Sequence, residues 1–286
     1  MSTNDVLSSI VKKIDTLPTL PTTFAKINNM IQNPKTSAND ISDVVSKDQV
    51  LTARLLKLVN SSLYGFPGRI TTVSSAVVIL GFNALKNLVL SSSVFDLFQV
   101  TGKSEVIDLN EFWKHSIACA VASRLIAVQI DYGEPEELFV AGLLHDIGKL
   151  VEIQYLQASF MNVIEKTRSS KILIGDAEKE ILGFTHSDIG FLLGKKWKLP
   201  LSLNEAIACH NDFSQARKFP QLVSAVHLAD ILVRAKEIGD PGDIYVPVVD
   251  ASAWDSLGLR LSQIETIMER IEEGVNDALK FFKREN

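Results

Sequence analysis

The sequence predicts an all-α chain arranged as two helical lobes. Three observations carry this: apolar residues recur at helical spacing, no run sustains the period-two alternation of a half-buried strand, and cap-like and turn-like residues punctuate the pattern at intervals. In chain order, Pro34 closes an opening segment, and Ser37-Ala38-Asn39-Asp40 ahead of Ile41, Val44 and Val45 reads as a capping-box-like helix start. Leu51, Leu55, Leu58 and Val59 then form an i, i+4, i+7, i+8 stripe, and Val73, Ala76, Val77 and Leu80 repeat it. Turns fall at Gly65-Phe66-Pro67-Gly68 and near Gly81. A polar break at Val100-Thr101-Gly102-Lys103-Ser104-Glu105 precedes a new helix with Phe112, Trp113 and His115, so the lobes are expected to span residues 1–108 and 109–286. Gly239-Asp240-Pro241-Gly242-Asp243 marks a further turn. A last amphipathic helix, roughly Leu261 to Phe282, carries Ile264, Ile267, Met268 and Ile271 on one face and is expected to pack onto the C-terminal lobe.

Bulk properties bound the function. A 286-residue chain that is 46% hydrophobic can fill one large core or two lobes. A net charge of -5, from 29 basic and 34 acidic residues, offers no electrostatic case for binding nucleic acid. Arg54, Lys57, Arg69 and Lys86 read as scattered residues of solvated faces, and Tyr64 and Phe66 as turn aromatics folded back on the core. Cys119 and Cys209 are too few for a disulfide framework, and the start Met-Ser-Thr-Asn-Asp lacks a signal peptide's basic and apolar parts, which fits a reducing cytoplasm. The most apolar stretch, Ile117 to Ile130, is broken by Ser123, Arg124 and Gln129, so no membrane span is expected. Neither G-x-G-x-x-G nor G-x-x-x-x-G-K-[ST] occurs, and no nucleotide cofactor is implied.

The chemistry concentrates on few residues. There are five histidines, and His115, His145 with Asp146, His186, His210 and Asp230 form a series on separate predicted helices. His145 and Asp146 sit inside an apolar segment, Phe139 to Leu150, where a buried carboxylate needs a partner to offset its desolvation, and a divalent cation supplies one. A helical bundle assembles such a site by pointing imidazoles and carboxylates inward. These ligand types suit iron, manganese, nickel, cobalt or zinc, and no thiolate stands among them, which argues against a structural zinc cage. His227, one turn before Asp230, and Glu111, one turn before His115, are candidates to orient the cluster from behind.

His115, His145-Asp146 and Asp230 together resemble the His…His-Asp…Asp signature of the HD superfamily of metal-dependent phosphohydrolases. The finer pattern is similar to its HDOD branch: Leu17-Pro18-Thr19-Leu20-Pro21, Leu55 to Ser61, Ala76, Leu80-Gly81, and Gly142-Leu143-Leu144-His145-Asp146-Ile147-Gly148-Lys149. It continues through Glu180, Leu182-Gly183, His186, Gly190, Trp197, Leu199-Pro200 and His210, so that the resemblance covers nearly the whole chain. It implies an all-helical bacterial signalling or regulatory module whose C-terminal lobe is an HD-type bundle. Many such modules lack a complete HD site, whereas here every ligand position is filled.

By that resemblance His115, His145, Asp146 and Asp230 hold one transition-metal ion, with iron favoured and manganese, nickel or zinc as alternatives, and Asp146 bridges to a second ion on His186 and His210. Lys149 matches the lysine of HD-x-G-K and in an active site would neutralise phosphate while Asp146 serves the catalytic ions. The related HD-GYP enzymes carry a second histidine and a Gly-Tyr-Pro loop where this chain has Asn211 and Phe213-Ser214-Gln215, which disfavours cyclic-di-GMP hydrolysis. The expectation is a cytoplasmic regulatory protein with a protein partner. The alternatives are a phosphohydrolase taking a nucleotide, cyclic dinucleotide or other phosphate ligand, and a metal or redox sensor.

Overall fold

A computed structural model describes residues 19–99 and 106–282. Leu17 and Pro18 of the opening motif and the expected polar break at 100–105 lie outside the described residues. Among the described residues there is no strand.

The helices are α1 (Thr22–Ile31), α2 (Ala38–Val45), α3 (Gln49–Val59), α4 (Val73–Leu80), α5 (Phe82–Gln99), α6 (Leu109–Gln129), α7 (Pro135–Leu144), α8 (Ile147–Tyr155), α9 (Gln157–Ser170), α10 (Ile174–Ile181), α11 (His186–Lys196), α12 (Leu201–Cys209), α13 (Pro220–Ala235), α14 (Ala251–Leu257) and α15 (Leu261–Phe282). Local chemistry sets several of these boundaries. Ser37 caps α2 by accepting from the Asp40 amide while Asp40 accepts from the Ser37 amide, as its sequence signature indicates. Asp48 and Thr72 cap α3 and α4. Gly81 takes a positive φ of 86°, which makes the sharp step from α4 to α5.

The helical stripes read from the sequence are buried: Leu51, Leu55, Leu58 and Val59 on α3, and Val73, Ala76 and Val77 on α4. The central element is α6, which packs against α7, α13 and α15. Its surface is buried almost all round, from Phe112 to Ala127, which explains why its apolar pattern has no clear polar face. α5 packs on α7, and α11 lies against both α8 and α12.

Two details depart from expectation. α15 packs on α6 as expected, but it also packs on α3: Gly274 sits between Val121 and Leu63, and Asp277 accepts from the Ser62 amide and hydroxyl at 2.9 and 2.7 Å. Arg54 is not solvated. It is buried, with Nη1 2.9 Å from Asp96 and 3.2 Å from Ser92, because its position on α3 turns it toward α5. Tyr64 does fold back: the Arg124 guanidinium lies 4.2 Å from its ring centroid, and Phe66 stacks beside it at 6.0 Å. No single helix among the described residues is long and apolar enough to cross a membrane.

Candidate metal centre

Five helices deliver the polar cluster. His115 lies in the second turn of α6, and Cys119 follows one turn later on the same face. α7 ends at His145, and Asp146 leaves helical geometry at φ -98° and ψ 12° before α8 resumes at Ile147, so one interruption presents both side chains. Thr185 caps α11 in a reciprocal capping box with Asp188 and fixes His186 as its first residue. His210 ends α12, and Asp230 lies in the third turn of α13.

Close helix approach depends on two glycines. A Cβ at Gly142 would collide with the Cys119 carbonyl on α6, and a Cβ at Gly148 would fall inside the His186 carbonyl. These glycines bring the His145-Asp146 corner against both α6 and α11.

His115, His145, Asp146, Lys149, His186, His210 and Asp230 are all buried. Asp146 is the hub: Oδ2 lies 3.3 Å from His145 Nε2 and 2.7 Å from Lys149 Nζ, and Oδ1 lies 3.2 Å from His186 Nε2 and 3.5 Å from His210 Nε2. Asp230 is a second hub, its Oδ1 3.1 Å from His115 Nε2 and 3.7 Å from His145 Nε2. Arg234 holds Asp230 from behind through Nε to Oδ1 at 2.9 Å and Nη2 to Oδ2 at 2.8 Å, and is itself braced by Asp243 at 2.8 Å.

Hydrogen bonds on the far side of the rings decide which nitrogen is bare. His145 Nδ1 is 2.7 Å from the Gly142 carbonyl and His210 Nδ1 is 3.0 Å from the Ile207 carbonyl. A carbonyl only accepts, so Nδ1 carries the proton and Nε2 of the neutral ring has an open lone pair. His186 Nδ1 likewise donates to Glu178 at 2.8 Å. With the rings neutral, as ligation requires, three lone pairs face the Asp146 carboxylate, and His145 Nε2 and Asp146 Oδ1 are buried without a hydrogen-bond partner. Acceptors facing acceptors in a dry interior repel unless a cation lies among them.

The electrostatics express the same demand. Burial alone would lower the His145 pKa, but the Asp146 and Asp230 carboxylates overcome it and push it up to about 9. Burial would raise both aspartates, yet His145 and Lys149 hold Asp146, and Arg234 holds Asp230, well below the ordinary carboxylate range. Burial pushes His210 down to about 4, which keeps that ring neutral. His210 is thus already in the neutral state that metal ligation requires, whereas His145 keeps a proton near neutrality that a bound ion would displace. The donor set fits a divalent transition ion, with candidate ligand groups His115, Cys119, His145 and Asp230 on one side and His145, Asp146 and His210 on the other.

The HDOD domain matches residues 17–213 of the chain, more than half its length. The chain belongs to the HDOD family. An HDOD domain protein of unknown function from Geobacter sulfurreducens is 27% identical, with a TM-score of 0.80 over 96% of this chain and 98% of its own. A Shewanella amazonensis SB2B protein provisionally named a phosphohydrolase is 27% identical, with a TM-score of 0.73 over 96% and 98%. A Marinobacter aquaeolei VT8 protein provisionally named for signal transduction shares the fold at 24% identity and a TM-score of 0.75, over 98% of this chain and 66% of its own. An uncharacterized Treponema pallidum protein is 27% identical over 81% of this HDOD chain, which spans 45% of that relative's length.

Of the residues singled out in the sequence, His115, His145, Asp146, His186, His210 and Asp230 converge. Lys149 joins them as the buried counter-ion of Asp146 and does not extend to solvent. Glu111 does not join: its carboxylate pairs with Lys114 at 3.4 Å on a partly exposed face, because it precedes the buried stretch of α6. His227 stands behind the cluster, donating to the His210 carbonyl at 2.8 Å and accepting from the Asp250 amide at 3.1 Å. A sulfur that the sequence reading left out of the series lies beside the cluster: Cys119 Sγ is 3.4 Å from His115 Nε2. Arg234 was detectable as the i+4 neighbour of Asp230, whereas Cys119, also at i+4 from His115, reads in the sequence as a small core residue. Glu178, eight residues before His186, gives no periodic signal.

Proposed function

We propose that this HDOD chain is a regulatory protein whose lobe 109–286 binds one transition-metal ion at His115, His145, Asp146 and Asp230, and which acts through a protein partner in the cytoplasm rather than by hydrolysing phosphate esters. The observation that carries this reading is Asn211. Its amide Nδ2 lies 2.9 Å from His186 Nε2 and 2.8 Å from His210 Nε2. Both nitrogens are bare acceptors, so the amide donates to the two imidazoles that a second ion would need. A two-metal centre works by clamping the attacking and leaving oxygens between ions. With the second pair of ligands engaged by an amide, that chemistry loses one of its ions. Lys149, in an active relative the natural cation for phosphate, is here spent on Asp146 and sealed from solvent.

A bound ion would supply the positive charge that the facing lone pairs demand and would fix α6, α7 and α13 relative to one another. Around it, Arg234 orients Asp230, Gly142 fixes the His145 tautomer through its carbonyl, and Glu178 does the same for His186.

A cavity of about 590 Å³ supports phosphohydrolysis as the second reading. It is lined by Lys179, Ser187, Asn211, His227 and Arg234 among others, and so abuts the cluster, with room for a nucleotide or phosphate ligand. The two readings separate on turnover. Metal-loaded full chain incubated with generic phosphodiesters and nucleotides is expected to release no product above the rate of an Asp146→Ala variant. Steady turnover that Asp146→Ala abolishes and Lys149→Ala reduces would replace the regulatory reading with the catalytic one.

A further inference from the structure

Cys119 adds a sulfur to this centre, and we infer that its thiolate is a metal ligand alongside His115, His145 and Asp230. The inference rests on the metal reading above and revises its ligand set, with Cys119 in the fourth position in place of Asp146, which groups instead with His145 and His210.

Geometry carries it. One donor atom from each of these four residues lies within 4.8 Å of all the others, and all four residues are buried. For ligands about 2.0 to 2.1 Å from a tetrahedral ion, neighbouring N and O atoms stand about 3.4 Å apart, and with a sulfur at about 2.3 Å the S to N or O edge is about 3.6 Å. The observed edges bracket those values. His115 Nε2 to Asp230 Oδ1 is 3.1 Å and His145 Nε2 to Asp230 Oδ1 is 3.7 Å; Cys119 Sγ to His115 Nε2 is 3.4 Å and to Asp230 Oδ1 is 4.0 Å. The rings of His115 and His145 are 5.5 Å apart between centroids and converge on Asp230 from two helices.

The backbone is built to hold the sulfur there. Cys119 follows His115 by one turn of a helix buried on all sides, so the two side chains project in the same direction. Gly142 lets α7 press against the Cys119 carbonyl, and the same Gly142 carbonyl accepts from His145 Nδ1. The contact that brings the two helices together thus also orients the imidazole opposite the sulfur.

The consequence is a choice of metal. One thiolate, two imidazoles and a carboxylate favour borderline or soft ions such as zinc, iron or cobalt, and disfavour magnesium and manganese. Such a four-ligand set is closed, as structural centres are, with no position reserved for a substrate.

Cobalt(II) tests this directly, because a thiolate ligand gives a near-ultraviolet sulfur-to-cobalt charge-transfer band that N and O ligands do not. The full chain, purified anaerobically under reducing conditions, stripped with chelator and reloaded with Co(II), is expected to show that band. Cys119→Ser is expected to lose the band while still taking up Co(II), whereas Cys209→Ser retains it. Bound Co(II) with no charge-transfer band in the parent protein, or a band that survives in Cys119→Ser, overturns the sulfur ligand and leaves the metal reading standing. Failure of the parent to take up Co(II) at all overturns the metal reading and this inference with it.

Discussion

Lys149 and Glu152 lie one turn apart on α8 and meet burial in opposite ways. Lys149 is stabilised as an ion by Asp146 at 2.7 Å, so replacing it leaves a buried carboxylate without its nearest cation. Removing one partner of a buried pair costs about 3 to 5 kcal/mol, and Lys149→Met is expected to lower the unfolding free energy of the metal-free protein by that order in urea titration. A loss under about 1 kcal/mol would mean that the histidines already neutralise Asp146. Glu152 has no such partner. Burial, reinforced by the charge of Glu178, raises its pKa well above the ordinary 4.5. The folded state therefore keeps a proton that the unfolded state releases, so its contribution falls as pH rises above 4.5, by up to about 1.4 kcal/mol per pH unit. Glu152→Gln is neutral at every pH and escapes that loss. Its melting temperature should match the parent's near pH 4 and exceed it increasingly toward neutrality, and parallel curves would show that Glu152 titrates normally.

At the scale of elements, the corner between α7 and α8 determines whether the centre forms. In an ordinary exposed helix, Gly→Ala gains about 1 kcal/mol of propensity. At Gly142 the added methyl meets the backbone carbonyl of Cys119, which cannot rotate away, and overpacking of this kind costs about 1 to 3 kcal/mol. Gly142→Ala is therefore expected to destabilise the fold and to weaken metal retention together, as read by thermal unfolding and chelator competition. A stabilised variant would show that the α6 and α7 contact is looser than the geometry indicates. The helices themselves were legible in the sequence because caps and stripes are local: Ser37 with Asp40, the α3 stripe and the span of α15 stand where their residues indicate. What was not legible depends on which helices meet. Arg54 reads as a surface cation until α5 supplies Asp96, and α15 reads as a partner of one lobe until Gly274 and Asp277 place it against α3 as well.

At the scale of the whole molecule, one continuous apolar core runs from Phe24 to Phe282, and the polar cluster interrupts it at one locality where α6, α7, α11, α12 and α13 converge. The six candidate ligands were legible because histidine is scarce in this chain and an aspartate inside an apolar run demands a partner. Cys119 was not, since a cysteine on an apolar helix is indistinguishable from a small core residue until His145 is brought across from α7. Asn211 was visible as a departure from the HD-GYP pattern, but its donation to both imidazoles required the fold. The imidazoles and carboxylates that converge around Asp146 and Asp230 form a set suited to holding an ion. Elemental analysis of the full chain, purified anaerobically without added metal, measures this most directly. About one equivalent of a transition metal per chain is expected, lost in an Asp230→Ala variant that remains folded. Less than about half an equivalent of any transition metal in the parent, or an equal content in the variant, would contradict it.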